Sequence, residues 1–307
     1  MIAVLLSILP LLLWDEGPAT APQLQKAGIQ EIAVTRDANA WSSTGITTRL
    51  IDTSKLTRLN SIGIDYQIGA AGATAAPWVE SNLWRMIRDP GAAFLYDVEA
   101  AALPLAIAEA YAGGARSFFQ VKPEHLDDFA AAYRFLKQLE APTLSPRVNF
   151  TLFDDHSPEI DEVMNLLVRR NLLFETTNDA RGKHGAMEVR IGSPEYPKTS
   201  GADPFVFAAM VRQRIGDPNR LVRVYGSETV LVRIFGDGRS ARLHLLQYGD
   251  HAVRGLRVRV LGKYPRIRVS AFGQSNSLAT DVVVENAATE FTVPELGVFA
   301  IVDLESP

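Results

Sequence analysis

Along the first two thirds of the chain, short apolar runs alternate with longer segments whose apolar residues recur every three or four positions. This is the pattern of strands alternating with helices. Residues 11–14 read as a first strand, ended by the turn Asp15-Glu16-Gly17-Pro18. A short helix over 19–27, closed by Gly28, leads to a strand over 31–35. Residues 46–52 and 62–68 are further strand candidates, and the Gly/Ala-rich stretch 69–76 reads as a loop leading into Pro77-Trp78. A short helix or turn around Trp84, Met86 and Ile87 stops at Asp89-Pro90-Gly91.

The clearest unit spans 93–121: a strand ending in Tyr96-Asp97-Val98-Glu99, a helix over 100–112, a stop at Gly113-Gly114, and a strand over 115–121. Pro123 and Glu124 open the next helix, which offers Leu126, Phe129, Ala130, Tyr133 and Leu136 to a core. A strand over 149–153 precedes Asp154-Asp155-His156, and Ser157-Pro158-Glu159 is a helix start with a capping hydroxyl and a proline in first position. Strands over 172–175 and 187–191 flank a polar loop holding Asp179, Arg181 and His184; a helix over 205–215 follows.

From Leu221 the period falls to two. Val230, Val232 and Ile234 alternate with Leu231, Arg233 and Phe235, and Leu256, Val258 and Val260 alternate with Arg257 and Arg259. Six to eight short strands without a helix predict an antiparallel β-sandwich. The expected fold class is therefore α/β plus all-β: an irregular or degenerate (β/α)8 barrel-like domain over 1–220, then a β-sandwich accessory domain over 221–307. An open doubly wound sheet is the alternative for the first part. It lacks its usual support, because no G-x-G-x-x-G or P-loop is present.

Composition narrows the function. A chain of 307 residues, 47% hydrophobic and 21% charged, has material for more than one core. The net charge of −4 and interspersed signs give no reason to expect a nucleic-acid partner, and the arginines at 254, 257, 259, 266 and 268 read as a solvated sheet face or an interdomain surface. Without cysteine there is no thiolate chemistry, and the five histidines form no close ligand pair, so no cofactor is expected. The apolar start, with Ala19-Thr20-Ala21 as a small-x-small site, is read either as an export signal over 1–21 or as a buried segment ending in the first strand. The first reading implies a secreted or periplasmic protein, the second a cytoplasmic one. The run is too short for a stable membrane span.

Acids recur at the predicted carboxyl ends of strands, where α/β folds gather ligands: Asp15 and Glu16, Asp97 and Glu99, Asp154 and Asp155, and Glu175. Asp97 and Glu99 share a side if the strand stays extended. Paired carboxylates in unequal surroundings suit glycoside hydrolysis, and the same acids suit a hard metal ion. The bland reading is that they sit in first turns of helices, near exposed amides. Trp78, beside the Gly/Ala-rich stretch, is the leading aromatic platform for a sugar ring, with Tyr96, Asp154 and Asp155 as further substrate-binding candidates. His156 reads as a turn histidine or a site base.

Residues Gly113-Gly114-Ala115-Arg116-Ser117-Phe118-Phe119-Gln120 look like a late barrel strand, and the stretch 290–303 looks like the closing strands of an accessory sandwich. On these the chain resembles α/β-barrel glycoside hydrolases of the β-galactosidase-like type. The resemblance implies hydrolysis of a carbohydrate ligand. The Asn-Glu pair of that family is not identifiable, so no catalytic residue carries over from it. The expected function is glycoside hydrolysis with Glu99 as general acid and Asp97 as base or nucleophile. The alternative is a non-catalytic carbohydrate-binding or structural cell-envelope protein on a degenerate hydrolase fold.

Overall fold

The computed structural model describes residues 9–68, 75–139, 144–179, 187–201, 203–275 and 278–306. The start of the apolar run, the centre of the Gly/Ala-rich stretch, Arg181 and His184 lie outside the described residues. In chain order the strands are β1 (Leu11–Leu13), β2 (Glu31–Val34), β3 (Thr47–Leu50), β4 (Thr57–Arg58), β5 (Gly63–Ile68), β6 (Ala75–Glu80), β7 (Ala93–Tyr96), β8 (Arg116–Gln120), β9 (Ser145–Pro146) and β10 (Phe150–Phe153). They continue with β11 (Phe174–Thr177), β12 (Glu188–Val189), β13 (Val222–Tyr225), β14 (Val230–Gly236), β15 (Ser240–Gln247), β16 (Val253–Leu261), β17 (Arg266–Ala271), β18 (Thr280–Glu285), β19 (Ala288–Leu296) and β20 (Phe299–Glu305). The α-helices are α1 (Ala21–Lys26), α2 (Leu83–Arg88), α3 (Leu103–Gly113), α4 (Leu126–Gln138), α5 (Pro158–Arg169), α6 (Lys198–Gly201) and α7 (Pro204–Ile215).

Two compact units emerge, one built from Leu5–Gly63 and Asp89–Thr143, the other chiefly from Ile64–Arg88 and Leu144–Pro307. This division by compactness differs in kind from the change of period near Leu221, which marks where strands stop alternating with helices.

The first unit holds a six-stranded parallel sheet in the order β3-β2-β1-β8-β7-β4. Numbered within the unit, the strands run third, second, first, sixth, fifth, fourth: a cyclic order opened between the third and the fourth. β1 bridges the two halves, pairing Leu12 with Ile32 on one side and with Phe119 on the other. A chain cut after Ala21 would lack this strand. Alternation along the strands separates two buried faces. Leu11, Leu13, Ala33, Leu95 and Phe118 cluster on one. On the other, Tyr96 stacks on Phe119 at 4.6 Å, and Phe119 meets Phe129 of α4 at 5.8 Å. α3 is buried along nearly its whole length, Glu109 included. Gly114 stops it in a left-handed conformation, φ 67°, donating its N–H to the carbonyls of Ala110 and Tyr111.

The second unit begins with the paired strands β5 and β6 and helix α2. Trp78 lies within the strand β6, whose small Ala and Pro residues hide it from pattern reading. A three-stranded parallel sheet, β11-β10-β12, accompanies α5 and α7. The start of α5 differs from the expected hydroxyl cap. Ser157 makes no side-chain cap, and its own N–H is taken by Asp155 at 3.0 Å.

From Val222 onward the chain forms two antiparallel sheets, β13-β16-β19-β18 and β17-β20-β15-β14, the second extended at its edge by the earlier two-residue strand β9. Val222, Leu256, Val258, Val260, Phe291 and Val293 of the first share one buried cluster with Val232, Ile234, Leu243, Leu245, Val302 and Leu304 of the second. β14 is buried at all seven positions: Leu231 and Phe235 are as apolar as Val232 and Ile234, and Arg233 is buried with them. The edge of β14 beyond its short pairing with β9 is closed by a side chain. Asn171, at φ 51°, donates Nδ2 to the Val230 carbonyl at 2.9 Å and accepts the Val232 N–H at 2.8 Å. Three arginines of these sheets face acids on neighbouring strands, Arg257 with Glu290 at 3.3 Å, Arg266 with Glu305 at 3.5 Å and Arg268 with Asp303 at 3.5 Å, whereas Arg259, expected on a solvated or interdomain face, is buried and donates to the carbonyls of Arg220 and Pro218. Among the described residues, no helix is long and apolar enough to cross a membrane.

Candidate functional site

Parallel strands point their carboxyl ends the same way, so the loops that follow them collect at one edge of the sheet. In the first unit β7 ends at Tyr96 and is followed by Asp97, Val98 and Glu99; β8 ends at Gln120 and is followed by Val121 and Lys122. The residues after Tyr96 and those from Gln120 to Lys122, with Ser61, Ile62, Ala100, Ala102, Leu103 and His125, line a cavity of about 290 Å³. Asp97 and Glu99 are both exposed in it. Glu99 stands, extended, at the N-cap of a short 3-10 turn, and its carboxylate makes no capping hydrogen bond there. The cavity gathers two carboxylates, an amide, an ammonium and an imidazole. That set can donate to and accept from the hydroxyls of a sugar.

Tyr96 is not part of the cavity, which corrects its expected role in substrate binding. It is fully buried, and its hydroxyl donates to Glu109 at 2.6 Å. Strand alternation explains the difference: Tyr96 points to the helix side of the sheet, and the next residue is turned away from it.

A second cavity, of about 600 Å³, lies at the carboxyl ends of β1, β2 and β3. Trp14, Asp15, Glu16, Arg36, Asp37, Asn39 and Trp41 are among its lining. Asp15 clamps the two strand ends, accepting the N–H and the hydroxyl of Thr35 at 2.8 and 2.9 Å. Sequence reasoning missed Arg36 and Asp37. Their only signal is a charged pair just beyond β2, a cue as common in solvated turns as in sites.

The remaining expected site residues belong to the second unit, and three of them are engaged structurally. Asp154 is 3% exposed in its side chain and receives Nε and Nη2 of Arg88 at 2.7 and 2.9 Å. It also accepts the His156 N–H at 2.8 Å, so three hydrogen bonds and its burial tie this carboxylate to the fold. Asp155 accepts the Ser157 N–H, and hydrogen bonding to Ser157 holds its carboxyl below the usual range. Glu175 accepts the Thr151 hydroxyl at 2.9 Å. His156 is exposed, with φ 60° and Nδ1 3.5 Å from Asp154.

Trp78 is half-buried and lines a cavity of the second unit, but one of its faces is covered: the Arg169 guanidinium carbon lies 3.5 Å from the ring centroid. Burial lowers the Arg169 guanidinium to about 10, opposed in part by Glu80 and Glu162. Among the described residues no three His, Asp or Glu side chains are grouped to hold a metal ion.

No protein-family model matches the chain, and no curated protein matches it. Solved structures do. An α-L-fucosidase, isoenzyme 2 from Paenibacillus thiaminolyticus, aligns with a TM-score of 0.56 at 9% identity, covering 88% of this chain and 70% of that one. The maltogenic α-amylase AmyB from Thermotoga neapolitana aligns at 10% identity over 97% of this chain and 99% of its own, with a TM-score of 0.23. The α-amylase from Geobacillus thermoleovorans, in complex with acarbose, aligns at 8% identity over 94% and 91%, with a TM-score of 0.26. The two amylase scores are too low to carry an argument. None of the three is of the β-galactosidase-like type suggested by residues 113–120 and 290–303. The likeness is one of fold, and it is a distant likeness to glycoside hydrolases.

Proposed function

We propose that this protein hydrolyses a glycosidic bond at the carboxyl edge of its parallel sheet, with Glu99 as general acid and Asp97 as base or nucleophile. The observation that carries the reading is that Asp97 and Glu99, consecutive acids beyond β7, line one cavity with Gln120, Lys122 and His125. In such chemistry one carboxyl protonates the departing oxygen while the other attacks the ring carbon or activates water. Gln120, Lys122 and His125 orient the ring through its hydroxyls.

The fold-level elaboration belongs to the same proposal. The cyclic strand order of the first unit supports an irregular (β/α)8 barrel, with its opening between β3 and β4. The shared cluster of the two antiparallel sheets supports a β-sandwich as accessory domain from about Leu221. The burial of Leu11, Leu12 and Leu13 in the middle of the first unit's sheet supports the reading of the apolar start as a buried segment rather than an export signal ending at Ala21.

The test is hydrolysis across a panel of aryl and natural glycosides by wild type, Asp97→Asn and Glu99→Gln. General acid or base removal is expected to lower kcat by roughly 10²–10⁴-fold. Glu99→Gln should lose less on nitrophenyl glycosides, whose leaving groups depart without a proton. Saturable glycan binding with no product from the wild type would replace hydrolysis by the binding alternative. Full activity in both variants would remove these residues from the mechanism.

A further inference from the structure

The cavity beside Trp78 has a one-sided charged lining. Four guanidinium groups, from Arg169 at the end of α5, Arg170 beyond it, Arg212 on α7 and Arg220 ahead of β13, face one carboxylate, Glu228. Nearby Asp217 is engaged by Arg212, accepting Nε and Nη2 at 3.1 and 3.0 Å, with Arg223 and Arg220 at 3.7 and 3.8 Å. Arg220 donates to the carbonyls of Arg170 and Asn171. Among the described residues neither Arg169 nor Arg170 makes an ion pair within 4.0 Å, although Glu80 and Glu162 act on Arg169 from farther off.

Those two arginines are held by rings instead. Arg169 lies flat on Trp78, and its Nε is buried with no hydrogen-bond partner. Arg170 lies 5.7 Å from the ring of Phe205, an aromatic side chain 51% exposed at the same cavity. A guanidinium stacked face-on keeps its N–H fork in the plane and directed sideways, the geometry that receives an oxyanion in bidentate fashion. Burial already weakens the Arg169 cation, so an incoming anion replaces solvent that the fold has removed. The space, about 270 Å³, suits one ring rather than an extended chain.

We propose that this cavity binds a single anionic sugar residue, its oxyanion on Arg169 and Arg170 and its ring against Phe205. The oxyanion is a sugar carboxylate or a phosphate ester on the ring. Binding here goes beyond the hydrolytic reading and does not require it, because the two rest on different residues.

The full chain would be titrated calorimetrically with glucuronate, glucose 6-phosphate, glucose and inorganic phosphate, at low and at physiological salt. At least one anionic sugar is expected to saturate, to bind on the order of tenfold more tightly than glucose or phosphate, and to weaken with salt. Glucuronate against glucose 6-phosphate tells which oxyanion is taken. Arg170→Gln, a change at an exposed side chain, should weaken binding about tenfold, and Arg169→Lys should weaken it while keeping the charge. Thermal melts establish that each variant is folded; if Arg169→Lys is not, Arg170→Gln decides. The proposal is overturned if neither anionic sugar outbinds glucose, if inorganic phosphate binds as tightly as both, or if folded Arg170→Gln binds as wild type does.

Discussion

Replacing Asp154 by Asn separates a structural acid from a catalytic one. The side chain is 3% exposed and its partner Arg88 17% exposed, so the pair is largely removed from water. Asn keeps the shape and one acceptor oxygen, but it sets an amide N–H₂ against a guanidinium N–H where a charge-assisted bond stood. Removing one partner of a buried pair costs about 3–5 kcal/mol, mainly because the other charge is left uncompensated. Here Asp161 remains on Arg88 and is 41% exposed, which softens the loss. The expected cost is therefore near the lower end, about 3 kcal/mol, or a fall in Tm of about 6–12 °C for a chain of this size. Urea and thermal unfolding, followed by circular dichroism, would measure it. Asp155→Asn is the internal control: an amide oxygen can still accept the Ser157 N–H, and a change within about 0.5 kcal/mol is expected. Unfolding of Asp154→Asn within 1 kcal/mol of wild type would refute the reasoning, since the buried pair would then contribute little to the fold.

Three further outcomes are expected. His244 is fully buried with Arg242 and Arg233 nearby, and burial pushes its pKa down to about 3. The unfolded chain takes up this proton below about pH 6.5 while the folded one stays neutral, so stability is complete above that pH and falls toward pH 3; the loss from pH 6.5 to 5 is about 2 kcal/mol. His244→Phe should flatten that stretch of a pH–stability curve, and an unchanged slope would exclude His244 as its source. Asn171→Ala leaves the Val230 carbonyl and the Val232 N–H without their partner, at about 2–4 kcal/mol, read as a lower urea midpoint; an unshifted midpoint would show that water satisfies both groups. Gly262→Ala forces a side chain into φ 129° and against the Tyr264 ring, whose Cζ would stand 2.7 Å from the new Cβ. A loss of about 3 kcal/mol is expected, and wild-type stability would mean the turn rebuilds freely.

What pattern reading captured and what it missed follow from the range of the interactions involved. The unit over 93–121 was legible because β7, α3 and β8 are each made of consecutive residues with their own period and with Gly113-Gly114 as local punctuation. The two-residue strands β4 and β9 carry no period at all; partners on β7 and β14 define them. The same contrast divides the candidate acids. Asp97-Val98-Glu99 and Asp154-Asp155 look alike as acids after a strand, yet one pair lines a cavity and Asp154 is consumed by Arg88, 66 residues earlier. Glu109 sits mid-helix, where an acid is expected to face water, and is instead fully buried against Tyr96. Trp78 was legible as an aromatic next to the Gly/Ala-rich stretch; the arginine lying on it, from a helix some ninety residues later, was not.

The outermost strand of one antiparallel sheet, β18, has a consequence for how the protein behaves in concentrated solution. All six of its residues are exposed, and Val282, Val283 and Val284 form an apolar ribbon along a free edge. Such an edge offers a ready template for a strand from another molecule. Two features blunt it: the register breaks between Thr280 and Val283, with Asp281 at φ 49°, and acids stand at Asp281 and Glu285. Colloidal behaviour at this edge thus depends on a kink and two negative charges rather than on coverage. Replacing both acids by their amides, Asp281→Asn with Glu285→Gln, turns the ribbon from a tolerated edge into an adhesive one.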